Sequence, residues 1–380
     1  MGLTALMLLL QHVSVRVLKE HPYRPWPWPG VEWYLGGWSQ FDGPEYLKIA
    51  ASGYFYSPGV RSPVVWFPLY PMTVRAVEVV VGNWLISGVL VAGACGAFAA
   101  ALLWRWLSVQ GMSGRTQTVA FLAAMMYPYA WYLYGVVHSD ALFLMLVLGA
   151  FLLIERDKFV LAGLVGSLAT ATRPTGLALI PALVVLAWER SGVLVVPESA
   201  SQLVHRFRLP VHLVKEKVTA KSFAPLLSCC GVGAYMVFLG VRFGDPLAFK
   251  TNQRVYHPEN LPLLKRAFFV RWRDFGDAPS YALTITFQAC LAALVIWSLP
   301  AVARRFGWGY AVFAGVLVAI PMVSTGDFMG TGRYMIAAFP VWALLGERLA
   351  ARPRGWTVVA TSGVLMVLLS MGFARSWYLT

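Results

Sequence analysis

Apolar runs of about 20 residues recur from one end of this chain to the other. A run of that length is what an α-helix needs to cross a bilayer, and a water-soluble core has no room for many of them. Composition points the same way: 58% of the residues are hydrophobic and 13% charged, where soluble domains carry roughly a quarter charged. The short alternating strands of a membrane β-barrel are not visible. The expected fold is an all-α polytopic membrane protein.

About eleven spans are expected, at 3–18, 84–107, 117–136, 139–154, 158–172, 175–189, 223–241, 281–300, 308–323, 334–350 and 356–373. Nothing reads as a separate soluble domain or an internal repeat, so 1–380 is expected to be one transmembrane domain. Met1 to Leu18 lacks a basic leader and a small-residue cleavage site, and reads as a retained first span. With the N-terminus in the cytoplasm, the inner turns carry Arg105, Arg115, Arg156, Lys158, Arg304, Arg305, Arg348, Arg352 and Arg354. The short outer turns carry only Arg173 and Arg333, which satisfies the positive-inside rule.

Three longer segments remain: outer segments 19–83 and 242–280, and a basic cytoplasmic loop, 190–222. The net charge of +14 reads as attraction to anionic membrane lipid, with no nucleic acid partner. The four cysteines lie in apolar runs and read as small buried hydrophobes. No Cys-x-x-Cys or His-x-x-x-His spacing suggests a metal, so none is expected.

The first strongly polar island is Trp38 to Tyr54. Before it, prolines in 22–30 preclude a helix, and their aromatic neighbours suit a membrane interface. Residues 43–51 read as a short interfacial helix with Tyr46, Leu47, Ile49 and Ala50 on its apolar side. A second is expected at about 72–81, after Trp66-Phe67-Pro68-Leu69-Tyr70-Pro71. Together they form a platform above the bundle.

Six blocks in order carry a family resemblance. They are Phe41-Asp42-Gly43 with Ile49-Ala50 and Gly53-Tyr54; Phe67-Pro68-Leu69-Tyr70-Pro71; Tyr127-Pro128 with His138-Ser139-Asp140-Ala141-Leu142-Phe143; Arg173-Pro174-Thr175-Gly176; Phe243-Gly244-Asp245-Pro246-Leu247-Ala248-Phe249 with Gln253; and Arg333-Tyr334-Met335 with Phe339-Pro340. In these the chain resembles the PIG-V family, mannosyltransferases that add the second mannose in glycosylphosphatidylinositol-anchor synthesis, and its prokaryotic relatives. It departs at Phe41, where the family often has Trp, and at His138-Ser139-Asp140, where a Tyr-Ser-Glu-like triplet is common.

The resemblance implies a GT-C fold, a polyprenyl-phosphate mannose donor, inversion at the anomeric carbon and no cofactor. It also implies a lipid-linked or glycan acceptor and an active site on the extracytoplasmic face; the compactness of the chain suggests that the membrane is a prokaryotic plasma membrane.

Each site residue has two readings. Asp42 is a general base for the acceptor hydroxyl, with its pKa raised by an apolar setting, or the N-cap of a capping box Asp42-Gly43-Pro44-Glu45. Glu45 assists catalysis or acceptor binding, or pairs with Lys48 or with the cap. His138 meets the donor phosphate and Asp140 the acceptor hydroxyls, or both are solvated turn residues. Arg173 and Arg333, with Tyr334, hold the phosphate through planar forks of donors, or the arginines snorkel to the interface. Gln253 closes over the donor with Lys250, Arg254, Lys265, Arg266, Arg271 and Arg273, or these are solvated. The rival classes are a lipid flippase or small-solute transporter, which predicts repeated halves and charges deep in the spans, and a non-catalytic membrane subunit.

Overall fold

A computed structural model of the chain describes residues 35–195, 212–256, 279–324 and 328–377, with scattered positions between 6 and 13. Most of the expected first span, the proline-aromatic stretch 22–30, Arg206, Arg208, Lys265, Arg266, Arg271 and Arg273 lie outside the described residues.

The described architecture is all-α apart from a two-residue ribbon, β1 (Leu194–Val195) with β2 (His212–Leu213) antiparallel. The helices are α1 (Gly43–Ser52), α2 (Leu69–Val81), α3 (Trp84–Val109), α4 (Gly114–Met125), α5 (Asp140–Ile154), α6 (Phe159–Thr170), α7 (Leu179–Ser191), α8 (Cys230–Phe243) and α9 (Ala248–Tyr256). They continue as α10 (Pro279–Phe306), α11 (Trp308–Ser324), α12 (Thr331–Tyr334), α13 (Phe339–Ala350) and α14 (Gly355–Ala374).

Among the described residues, four segments are helical, long and apolar enough to cross a membrane: Trp84–Val109, Ala220–Phe243, Tyr281–Phe306 and Gly355–Ala374. Helices α5, α6 and α11 are apolar but shorter. All four cysteines are free; Cys95 is buried, whereas Cys229, Cys230 and Cys290 face outward, against the expectation that all would be interior.

Three expected spans are interrupted as follows, and a fourth, 223–241, opens as a 3-10 helix, Ala220–Cys229, before α8. The run 117–136 is helical only to Met125; residues 127–139 then fold as turns around a 3-10 turn, Ala130–Leu133, and every one of them is buried. Pro128 is the physical reason, since it lacks a donor and disfavours helix at the residue before it. The run 175–189 opens as a 3-10 turn, Pro174–Ala178. The run 334–350 begins with α12 and a 3-10 turn, Met335–Ala337, and becomes helical only at Phe339-Pro340. Irregular backbone inside a bundle persists where protein buries it or where it lines a cavity.

The buried loop 127–139 fits against α3 because Gly96 has no side chain in its way. A Cβ on Gly96 would stand 1.8 Å from the Leu133 carbonyl oxygen. Above it, α1 and α2 pack on each other and on α3. A second, smaller core of Val64, Phe67, Val232, Tyr235, Leu239 and Ala248 joins this platform to α8 and α9.

Candidate active site

The three interruptions and the N-terminus of α1 converge at one end of the bundle. Asp42 precedes α1 in a helical backbone conformation (φ −73°, ψ −18°), and its side chain makes no capping hydrogen bond. An N-cap takes extended backbone so that its oxygen can turn back, and the capping box expected here does not form. The preceding Phe41 has φ +54°, a left-handed conformation that costs a bulky residue on the order of 1–2 kcal/mol. Its ring packs on Phe373 of α14, 5.3 Å between centroids, and Ser376 bonds Gln40 at 2.7 Å. The turn is thus held from the far end of the chain.

The Asp42 carboxylate instead accepts a 2.8 Å hydrogen bond from Arg333 Nη1. Arg333 Nε lies 3.8 Å from Asp140 Oδ2, and Asp140 Oδ1 is paired with Arg173. Tyr334 lies within cation–π reach of both guanidiniums, 4.9 Å from Arg173 and 5.3 Å from Arg333. His138 Nε2 stands 3.9 Å from Asp42 Oδ2. Two carboxylates and two guanidiniums therefore form a cluster without net charge beside a buried imidazole.

Burial by itself raises the Asp42 pKa, but the charge of Arg333 and the lesser effects of His138 and Arg173 outweigh it. The carboxyl stays below its ordinary value, not above it as expected from an apolar setting, and Asp42 is ionised at neutral pH. Its side chain is 32% exposed.

That exposure is to a cavity of about 340 Å³, within the usual range of about 300–1,000 Å³ for small-molecule sites. Asp42, Arg173 and Arg333 supply charged groups to its lining; Trp66, Phe249, Tyr256, Ile320, Pro321 and Met329 are among its apolar lining residues; Gln253, Lys250 and Tyr334 also line it. Asp42, Arg173, Gln253, Arg333 and Tyr334 are thus brought together as site residues. His138 and Asp140 are buried behind them and do not line the cavity, so direct contact of His138 with a phosphate there does not fit this arrangement. Glu45 is also off the wall, its carboxylate paired with Lys48 at 2.7 Å. Among the described residues no three His, Cys, Asp or Glu side chains are placed to hold a metal together.

Two clamps escaped sequence reasoning. Asn252, fully buried on α9, accepts from Ser62 N at 2.9 Å and donates to the Val60 carbonyl at 2.7 Å. It fixes α9 against the platform and so sets Lys250 and Gln253 on the cavity wall. Gln288, in the middle of α10, accepts from Gly332 N at 2.9 Å, while Tyr127 donates to the Gly332 carbonyl at 2.9 Å. A Cβ on Gly332 would stand 2.4 Å from Tyr129 Cε2, so the residue before Arg333 is held on three sides. The available signal was a lone Gln in an apolar run, where polar side chains mark a task.

Comparison with protein-family models, with curated proteins and with solved structures gives no match to this chain.

Proposed function

We propose that this chain is an integral-membrane inverting glycosyltransferase. It transfers mannose from polyprenyl-phosphate mannose to a hydroxyl of a lipid-linked or glycan acceptor, at the extracytoplasmic face of a prokaryotic plasma membrane. The observation that carries the reading is one cavity lined by an ionised carboxylate and two arginines together with aromatic and aliphatic side chains. That combination suits a ligand with a phosphate, a sugar and a lipid tail.

In this scheme the donor phosphate takes the forks of Arg333 and Arg173, which stabilise the charge that grows on it as the C1–oxygen bond breaks. The acceptor oxygen bonds to C1 from the opposite face, the phosphate keeps the bonding pair, and Asp42 takes the acceptor proton. At rest Asp42 is a weak base, because Arg333 holds it. Once Arg333 turns to the phosphate, the field that depresses Asp42 weakens and its basicity rises. Donor binding thus prepares the base.

The test is transfer of labelled mannose from polyprenyl-phosphate mannose to a panel of lipid and glycan acceptors by the purified protein. Asp42→Asn is expected to lose about 10²–10⁴-fold. Undiminished transfer by that variant removes Asp42 as base. No transfer by the wild type, together with movement of polyprenyl-phosphate lipid across vesicle membranes, favours the flippase class.

A further inference from the structure

His138 has no part in the scheme above, yet it stands where a proton leaving Asp42 would go. Its ring is fully buried. The rings of Tyr46, Tyr132 and Phe373 surround it at centroid distances of 6.0, 5.0 and 6.1 Å. Neither ring nitrogen has a hydrogen-bond partner within the described protein, a costly state for a polar group in an aromatic cage. Asp42 Oδ2 stands 3.9 Å from its Nε2. The charged groups that bear on it are Arg333, Asp42, Asp140 and Arg173. These balance one another, so the imidazole is not needed as a cation at rest. Burial first, and then Arg333, hold its pKa down to about 4.

We infer that His138 stores the acceptor's proton: Asp42 takes it from the hydroxyl and passes it to His138 Nε2. The inference rests on the transferase reading. As the acceptor oxygen joins C1 and the phosphate leaves with the bonding pair, the proton moves to Asp42 Oδ2 and then to the imidazole. This leaves Asp42 ionised beside an imidazolium, while the phosphate gains one negative charge. The ring that is neutral at rest becomes a proton acceptor because its main charged opponent moves. When Arg333 turns to the phosphate, positive charge retreats from His138 and the Asp42 carboxylate loses its partner, and both changes raise the imidazole's proton affinity. Freed from Arg333, Asp42 rotates to close the 3.9 Å gap, which exceeds a hydrogen bond. Proton storage is thereby tied to donor occupancy.

The full chain with isotope-labelled histidine, in nanodiscs, tests this by NMR. The six histidines are few enough for His138 to be assigned by its loss in His138→Gln, or in His138→Asn if the first variant does not fold. The probe is a prenyl methyl phosphodiester, which carries one fixed negative charge. The expected result is a His138 that stays neutral down to about pH 4 without ligand and titrates about one pH unit higher, or more, with it. Binding of the phosphodiester with no movement of His138 overturns the inference and leaves the transferase reading intact.

In the transfer assay, His138→Gln is expected to lower kcat about 10-fold or more with KM for the donor unchanged, and to lose the acid limb of the pH profile. A wild-type rate and profile overturn the relay. If His138 responds to the phosphodiester but the wild type transfers no mannose, the mannosyltransferase reading fails and the coupled pair stands. A wild type that does not bind the phosphodiester overturns both.

Discussion

Helix α5 has an Arg–carboxylate cluster at each end, about 22 Å apart by its length of 15 residues, and the two are built differently. At the far end Glu155 accepts from Tyr310 at 2.7 Å, Arg190 at 2.8 Å and Gln110 at 3.2 Å. Arg190 also bonds Asp157 at 2.9 Å, and Tyr310 accepts from Trp106 at 2.8 Å. Arg305 pairs with Glu347 and donates to the Gln110 carbonyl at 3.0 Å. Glu189 caps α11 through the amides of Trp308 and Gly309. None of these side-chain atoms is buried without a partner.

At the near end, both nitrogens of His138, Asp140 Oδ2 and Arg333 Nε are buried without a hydrogen bond among the described residues, and a cavity opens on the cluster. A saturated network fixes structure; an incompletely paired one beside a cavity keeps binding capacity in reserve. On the proposed reading the near cluster takes the substrate and the far one does not, and each prediction perturbs one cluster without the other.

The largest effect is expected at the fork of Arg333. Arg333→Lys keeps the charge but loses the planar pair of donors, and transfer falls about 10²–10³-fold at unchanged thermal stability. Transfer within twofold of wild type would place the phosphate elsewhere.

Next is acid. His138 has its pKa depressed to about 4 by burial, so between about 6.5 and 4 the unfolded chain binds the proton that the fold refuses. The stability His138 contributes is fully present above pH 6.5 and lost as pH falls towards 4, on the order of 3 kcal/mol in all. The Asp42 contribution, its pKa being lowered, is lost only below the ordinary carboxylate range. Thermal melts in detergent should show an acid slope in this window that His138→Gln flattens; an equal slope in both proteins contradicts the neutral assignment.

Gly332→Ala comes third. The new methyl meets the Tyr129 ring and displaces Arg333, costing about 1–3 kcal/mol and about tenfold in transfer. Activity and melting both at wild-type values would show that the clamp yields freely.

The smallest effect belongs to the far cluster. Arg305→Gln removes a pair that is about a third exposed on each side, worth roughly 0–1 kcal/mol, and leaves transfer unchanged. A large loss of transfer would merge the two clusters functionally.

The helical frame was legible in the sequence wherever hydropathy and helicity coincide. Runs 84–107, 139–154, 158–172, 281–300, 308–323 and 356–373 recur as helices shifted at most a few residues. Runs 117–136 and 334–350 misled because the buried loop after Met125 carries as many aromatic and aliphatic residues as a buried helix end, and averaged hydropathy does not register the break at Pro128 or the 3-10 turn at Met335–Ala337. The platform helices were also legible, and the apolar side read for 43–51 (Tyr46, Leu47, Ile49 and Ala50) is the side that is buried.

Residues of the site were legible one by one, since charge at span ends is conspicuous, but their pairing was not. Asp42 and Arg333 are 291 residues apart. Read locally, Asp42-Gly43-Pro44-Glu45 is a capping box. The long-range guanidinium decides otherwise, reversing the expected direction of the Asp42 pKa as well, while Glu45 takes the local partner Lys48.

The proposed transfer mechanism turns on Arg333 changing partner. The direct measurement is a structure of the protein with a prenyl methyl phosphodiester bound. The prediction is a phosphate on the Arg333 and Arg173 forks, with the 2.8 Å contact between Arg333 and Asp42 broken and the carboxylate turned towards the cavity or His138. A phosphate seated away from both arginines, with that contact intact, would contradict it.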